Sequence, residues 1–411
     1  MHGEGLFMTV TRSVHDNIVV LTLNNPPVNA LSYPLRVEFS RLLTEAMEDP
    51  RIGAVVFAGS PHLFSGGAEI SEFGTPVAFR TPNLKSLIAQ FDEAPKPIIA
   101  AIEGAVLGGG LELSLACHYR VGSPRTSVAF PEIHLGIIPG AEGSQRLPRL
   151  VGVETALNMM LSGNPVPASA LAHTKLFDKI VEGDFMSGVL AFAAGVAAKK
   201  EPPPRVRDIR IKEPGTDAFL GFARNMVKPM AKHVDAPLRL IDAVEAAIKL
   251  PFTQSAAKEL DIFRALLDTP QSRAMRHAFF SERQASRIEG LSRDVKPRPF
   301  NKVAVVGAGT MGSGIAINFL NAGLPVVLIE TAQEALDRGT QHIRKTYEGD
   351  LKRGRITEAK LQQRMALLQP SLTLMDAADC DLAIEAVFED MGVKSTVLAK
   401  LDAVLKPGAI L

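Results

Sequence analysis

Glu112 and Glu132 stand 20 residues apart (132 − 112), each in a segment marked by glycine or proline. Glu112 closes the run Gly108-Gly109-Gly110-Leu111-Glu112, and Glu132 follows Pro131 in Phe130-Pro131-Glu132-Ile133. A third such segment precedes both, Phe64-Ser65-Gly66-Gly67-Ala68-Glu69-Ile70. Glycine directly after a strand lets the backbone approach a ligand with no Cβ in the way. A helix beginning at the glycine triplet presents unpaired N–H groups and the positive end of its dipole, a place for a developing oxyanion. Two carboxylates can take a proton from one atom and deliver one to another. A lone first-turn glutamate often only complements the dipole. Three segments of this kind in succession favour a site.

A second constellation lies far downstream. The apolar run Lys302-Val303-Ala304-Val305-Val306 leads into Gly307-Ala308-Gly309-Thr310-Met311-Gly312 and then a helical pattern through Ile315, Ala316, Phe319 and Leu320. A further apolar run ends at Glu330, 21 residues beyond Gly309 (330 − 309). Strand, GxGxxG, helix and acid at that spacing form a dinucleotide-binding fingerprint. Gly307 permits the tight turn, Gly309 admits a pyrophosphate, Gly312 packs helix on strand, and the Glu330 charge favours NAD over NADP.

The elements that must position these residues follow from periodicity. Residues 17–23, 53–58 and 97–102 read as strands. Residues 34–48 read as a helix, with Leu35, Phe39, Leu42, Leu43 and Ala46 on one face and Pro34 near its start. This alternation indicates an α/β class. The run Pro202-Pro203-Pro204 fits no helix or central strand. Beyond it, residues 215–289 are helical by pattern, punctuated by Pro229, Pro237, Pro251 and Pro270. Three domains are expected: 1–195 with the glutamates, a helical connector at 196–299, and a dinucleotide-binding domain at 300–411.

With 45 basic and 44 acidic side chains, the net charge is +1 and there is no polybasic stretch, so neither nucleic acid nor a membrane surface is an expected partner. The apolar run at 190–198 is too short for a membrane span, and the N-terminus lacks a signal pattern. Cys117 and Cys380 have no CxxC spacing and Cys117-His118 no second ligand pair, so no metal is expected. His134 has no proton-transfer partner by spacing.

The three N-terminal segments, together with Leu135-Gly136-Ile137-Ile138-Pro139-Gly140 and Gln145-Arg146-Leu147-Pro148-Arg149, resemble the enoyl-CoA hydratase/isomerase (crotonase) family. The resemblance implies a crotonase-like ββα superhelix acting on enoyl-CoA thioesters. It implies that the N–H groups of Gly66 and Gly109 form the oxyanion hole and that Ala68 and Ile70 lie on the substrate-binding loop. It also implies that Glu112 and Glu132 hold the reacting water. Hydration is then the expected reaction, Glu112 activating water and Glu132 protonating Cα, with Δ3–Δ2 isomerisation through Glu132 beside it. Many hydratases carry alanine where this chain has Gly66 and aspartate where it has Glu69.

The segment Asp381-Leu382-Ala383-Ile384-Glu385-Ala386-Val387-Phe388-Glu389 resembles the fourth-strand region of 3-hydroxyacyl-CoA dehydrogenases. The NAD site so implied comprises Gly307, Gly309, Thr310, Met311, Gly312 and Glu330, with Glu385, Ala386, Val387 and Glu389 toward the nicotinamide. The order of segments resembles the multifunctional β-oxidation enzymes, which continue for several hundred residues with a catalytic His–Glu pair. The chain ends in what should be a fifth strand, and His342 is the only histidine after Asn301. The Rossmann-type domain is therefore expected to be incomplete, with dehydrogenation belonging to a longer parent chain. Other crotonase-type reactions and a CoA- and NAD-binding regulatory role are the alternatives. The expected compartment is cytoplasmic, or peroxisomal if a parent chain carries the signal, and monomer and small homo-oligomer both stay open.

Overall fold

A computed structural model describes residues 9–411 apart from 200, 286, 287, 289 and 293. The sequence readings at Met1–Met8 and at the helical limit 289 lie outside the described residues. The chain forms two compact units, Met1–Ile288 and Glu289–Leu411.

The first unit is built on two sheets. β1 (Val10–His15), β2 (Ile18–Leu23), β3 (Ala54–Ala58), β5 (Ile98–Ile102), β7 (Tyr119–Gly122) and β10 (Lys179–Ile180) lie side by side in that order. Among the described residues of this sheet the β1–β2 pair is antiparallel and the other pairs are parallel. β4 (Leu63–Ser65), β6 (Ala105–Leu107), β8 (Ser127–Ala129) and β9 (Val166–Pro167) form the second sheet. β3 and β5 are buried on both faces, which is why they read as continuous apolar runs. On one face Phe39, Phe57, Phe64 and Phe91 interlock, with ring centroids 4.8–6.1 Å apart. On the other, Phe185, Val189 and Ala193 of α6 (Phe185–Ala197) cover Ile18, Val20, Val56 and Ile99.

Helix α1 (Tyr33–Glu48) buries the five expected apolar residues and also Arg36. The Arg36 guanidinium donates to the carbonyls of Leu31 (2.6 Å) and Pro82 (2.9 Å) and pairs with Glu72 at 2.8 Å. It thereby fastens the loop between β4 and α2 (Leu84–Asp92). Helix α3 (Gly109–Ala116) is buried at every position, so its sequence shows no polar stripe and Glu112 is carried into the core. Two further helices, α4 (Gly143–Val151) and α5 (Val153–Ser162), follow the second glutamate. Arg146 of α4 is fully buried, its Nη2 at 2.6 Å from Asp92 at the end of α2 and 2.5 Å from Glu142.

The stretch expected as a connector is part of this unit. Helices α7 (Thr216–Val227), α8 (Ala236–Lys249), α9 (Phe252–Leu267) and α10 (Pro270–Ala285) carry apolar faces that join the main core. α8 and α9 pack on α4, and α10 packs on the 3-10 turn Pro131–Leu135, where the Ser272 hydroxyl donates to the Leu135 carbonyl at 2.9 Å. Pro237, Pro251 and Pro270 stand at the starts of α8, α9 and α10 rather than separating a linker, because the first turn needs no N–H there, and Pro229 precedes the 3-10 turn Met230–Lys232.

The second unit is a parallel sheet, β13 (Leu368–Ser371), β12 (Val326–Ile329), β11 (Val303–Val306) and β14 (Leu382–Glu385) in that order. It is accompanied by α11 (Thr310–Asn321), α12 (Gln333–Lys352), α13 (Glu358–Ala366) and α14 (Met391–Val404). The Ile410 N–H donates to Asp381 and the Ala383 N–H to Ile410, so Ile410 lies beside β14 where a fifth strand was expected. Among the described residues no helix is long and apolar enough to cross a membrane.

Candidate active site

Ala68, Gly109, Glu112, Glu132, Gly140 and Ala141 meet in one cavity, which encloses about 820 Å³ out to its open mouth. Apolar walls come from Phe73, Phe79, Leu84, Ile137, Leu260 and Phe263, and positive charge from half-buried Lys85 and exposed Arg264.

The two carboxylates have unlike surroundings. Glu112 is 3% exposed, and its Oε1 accepts the N–H of Ala141 at 2.7 Å and of Gly143 at 3.0 Å. Burial pushes its carboxyl well above the ordinary range, and the charge of Glu132 adds to that, while the two N–H groups oppose it. Glu132 is likewise raised, by burial first and by Glu259 in the same direction. Its Oε2 is buried with no hydrogen-bond partner among the described residues. An oxygen receiving two N–H groups supports an anion, and an oxygen receiving none favours the protonated acid. The two carboxyls are thus set apart by their hydrogen bonding, Glu112 with two N–H donors and Glu132 Oε2 with none among the described residues.

One expected oxyanion donor is corrected. The Gly66 N–H donates to the Val28 carbonyl at 2.7 Å, so it is already engaged and cannot face a ligand. Among the described residues the N–H groups of Ala68 and Gly109 have no protein acceptor. A Cβ placed on Gly109 would lie 3.1 Å from the Ala68 nitrogen, so the two donors are neighbours on the cavity wall. Ala68, expected only as a loop residue, thus takes the position given to Gly66. Ile70 begins a short 3-10 turn and packs against the main core, outside the cavity wall.

Glu259 of α9 escaped the sequence reading. It is fully buried beneath Glu112, accepts the N–H groups of Glu142 and Ser144 (2.9 Å for the latter) and touches the Ser144 hydroxyl. Its signal was a carboxylate on the apolar stripe Ala256, Glu259, Phe263, Leu266 of a helix. His118 is a core residue whose Nδ1 accepts the Ile98 N–H. His134 abuts Gly163, where an added Cβ would meet its Nε2 at 2.6 Å.

In the second unit Gly309, Thr310 and Glu330 line a cleft with Ala308, Ser313, Arg338 and His342. Gly307 has φ 106°, and a Cβ there would lie 2.4 Å from the Ala386 carbonyl oxygen. A Cβ on Gly312 would meet the Gly307 carbonyl oxygen at 1.8 Å, whereas one on Gly309 would meet nothing within 4 Å. The turn is closed on the protein side and open toward a ligand, which fits a backbone approach to pyrophosphate. Met311 is 72% exposed. Although burial works against it, the N–H groups of Ala308 and Thr331 hold the Glu330 carboxyl below its ordinary value, so it carries its charge. Glu385 and Glu389 share Lys394, at 3.3 and 3.0 Å, and Glu385 also accepts the Val387 N–H. These residues and Ala386 are not among those lining the cleft with Glu330.

Comparison with known proteins finds a family match in each unit. Residues 13–202 match the enoyl-CoA hydratase/isomerase family. The first segment belongs to that family. Residues 302–411 match the 3-hydroxyacyl-CoA dehydrogenase NAD-binding domain. The chain is 36% identical over 403 residues to the peroxisomal bifunctional enzyme of Danio rerio, covering 97% of this chain and 55% of that protein. The Homo sapiens protein of the same name is 35% identical over 410 residues, with the same coverage. A glyoxysomal fatty acid beta-oxidation multifunctional protein of Brassica napus is 33% identical, covering 94% and 55%. The chain spans about half the length of the curated relatives it matches. Its fold also resembles the crystal structure of an enoyl-CoA hydratase from Mycobacterium avium subsp. paratuberculosis (TM-score 0.50, 20% identity, 67% of this chain and 96% of that one).

Proposed function

We propose that the hydratase/isomerase unit adds water across the double bond of 2-enoyl-CoA thioesters, as a step of fatty-acid β-oxidation. The observation that carries this is the unlike pair Glu112 and Glu132 facing two free N–H groups in one cavity. The thioester oxygen lies against the N–H groups of Ala68 and Gly109, each contributing about 3–4 kcal/mol as charge moves onto it. Glu112 accepts a proton from water, the water oxygen bonds to Cβ, and the Glu132 proton passes to Cα as the enolate collapses. Glu132 alone can move a proton between Cα and Cγ, so its unpartnered oxygen supports Δ3–Δ2 isomerisation as a second activity. Loss of enoyl absorbance with crotonyl-CoA tests the reading. Steady loss supports it, and none from the folded chain refutes it.

Gly108 connects this chemistry to the backbone. Its φ and ψ are 49° and −124°, and an added Cβ would lie 2.7 Å from Glu132 Oε1. Gly108→Ala is expected to cost about 1–3 kcal/mol of stability through backbone strain. Displacing the Glu132 carboxylate should lower kcat about a hundredfold. Thermal denaturation and initial rates check both.

The second unit is read as an NAD site, with Glu330 on the ribose hydroxyls and the N-terminus of α11 at the pyrophosphate. NAD bound there would accept hydride from a 3-hydroxyacyl thioester. Glu330→Ala should weaken NADH binding about tenfold and reduce the preference over NADPH. Arg338, which lines the same cleft and pairs with Glu334 at 4.0 Å, then offers its charge to the extra phosphate with no carboxylate at position 330 to repel it. NADH and NADPH fluorescence titrations measure this, and an unchanged ratio would remove Glu330 from the site. The peroxisomal and glyoxysomal relatives favour the peroxisomal compartment over the cytoplasmic one.

A further inference from the structure

Two buried carboxylates divide the backbone donors of one turn between them. The N–H groups of Ala141 and Gly143 go to Glu112, and those of Glu142 and Ser144 go to Glu259. The turn is the start of α4, and Glu142 holds it open with a left-handed φ of 73°. Such a backbone persists where its surroundings over-determine it. Glu259 supplies part of that, from a helix distant in sequence, with the Ser144 hydroxyl as a third donor.

We propose that Glu259 is a positioning residue for Glu112: by fixing alternate N–H groups of the 141–144 turn, it keeps the remaining two aimed at the carboxylate that activates water. This rests on the hydratase reading above.

The charge environment gives the proposal a readout that packing alone lacks. Glu259 faces Glu112 from α3, Glu132 from the 3-10 turn and Glu142 from the start of α4. Glu142 is paired with Arg146, which also holds Asp92. On α8, Asp242 and Glu245 are paired with Arg224. On α10, Arg276 donates to Leu267 and Ser272. Lys258 and Asp261 of α9 itself are exposed. Burial, and after it the charge of Glu112, push the Glu259 carboxyl up to about 8, against the opposing pull of the Ser144 hydroxyl and the Glu142 N–H. The N–H groups of Ala141 and Gly143 make the ionisation of Glu112 easier, against burial and the charge of Glu132. Without Glu259 the turn no longer holds those two N–H groups on Glu112, so Glu112 loses its proton at higher pH and the acid limb of the rate profile moves up.

The test uses the full chain, as wild type, Glu259→Gln, Glu259→Asp and Ser144→Ala. Infrared titration follows the protonated-carboxyl band that disappears in Glu112→Gln. We expect its midpoint to rise by about one pH unit in Glu259→Gln, by less in Ser144→Ala, and to return toward wild type in Glu259→Asp. With crotonyl-CoA, kcat should fall about tenfold or more in Glu259→Gln while KM stays within about twofold. A Glu112 midpoint unmoved in both Glu259→Gln and Ser144→Ala overturns the proposal, and Ser144→Ala, which removes only a hydroxyl, decides it should Glu259→Gln not fold. The infrared midpoint needs no turnover. A wild-type chain that fails to hydrate therefore refutes the hydratase reading without touching this measurement.

Discussion

Glu132→Gln is expected to lower kcat for hydration about 10²–10⁴-fold, with KM nearly unchanged, because glutamine cannot pass a proton to Cα. Glu112→Gln should lose hydration to a similar extent, since an amide cannot take the proton from water. The two variants part on isomerisation. Moving a proton from one carbon to another needs only Glu132, so Glu112→Gln keeps that activity and Glu132→Gln loses it. Stability should move the other way. Both carboxyls titrate above their ordinary values because burial penalises the ionised form. That penalty is absent below the ordinary carboxylate value and grows as pH rises toward the raised one. The glutamine variants escape it, so they should gain in thermal midpoint over wild type at alkaline pH and lose that gain in acid. Initial rates and melting curves across pH separate these outcomes. A Glu132→Gln enzyme that hydrates at the wild-type rate would refute the assignment.

Arg146→Ala is expected to destabilise the first unit by about 3–5 kcal/mol, since it leaves buried charges unpaired. The Arg146 fork meets Asp92 through both terminal nitrogens, at 3.1 and 2.6 Å, and reaches Glu142 through Nε and Nη2. Arg207 also reaches Asp92, at 3.2 Å, so Asp92 keeps one partner, whereas Glu142 keeps no ion-pair partner among the described residues. Glu142 is also the residue that opens the turn serving Glu112 and Glu259, so the same substitution should reduce hydration. Arg146→Lys supplies charge without the fork and should recover only part of the loss. Urea unfolding followed by circular dichroism provides the measurement. A shift below about 1 kcal/mol would mean the pairing is not holding the unit together.

The parts legible in the sequence were those in which chemistry and local backbone coincide. Glu112 and Glu132 are flagged by their own glycine and proline neighbours. The fingerprint from Gly307 to Glu330 is a local strand–turn–helix unit, and the structure places Gly309 and Glu330 on one cleft. What escaped depends on contacts between distant segments. Which N–H of Gly66 and Ala68 is free is decided by the Val28 carbonyl, supplied by another loop. Glu259 reaches the site from 147 residues beyond Glu112 (259 − 112), and the prolines that begin its neighbouring helices read as punctuation of a linker. Arg36 and Arg146 lie on helix faces where charge usually meets solvent, and only their buried partners explain them.

Water addition itself is tested most directly by incubating the chain with crotonyl-CoA in D₂O and examining the product by NMR. The Glu112–Glu132 site should give a 3-hydroxybutyryl thioester carrying one deuterium at Cα, at a single diastereotopic position, and no such product from Glu132→Gln. Deuterium appearing in the alkene without a hydroxyl at Cβ, or a hydrated product undiminished in Glu132→Gln, would contradict it.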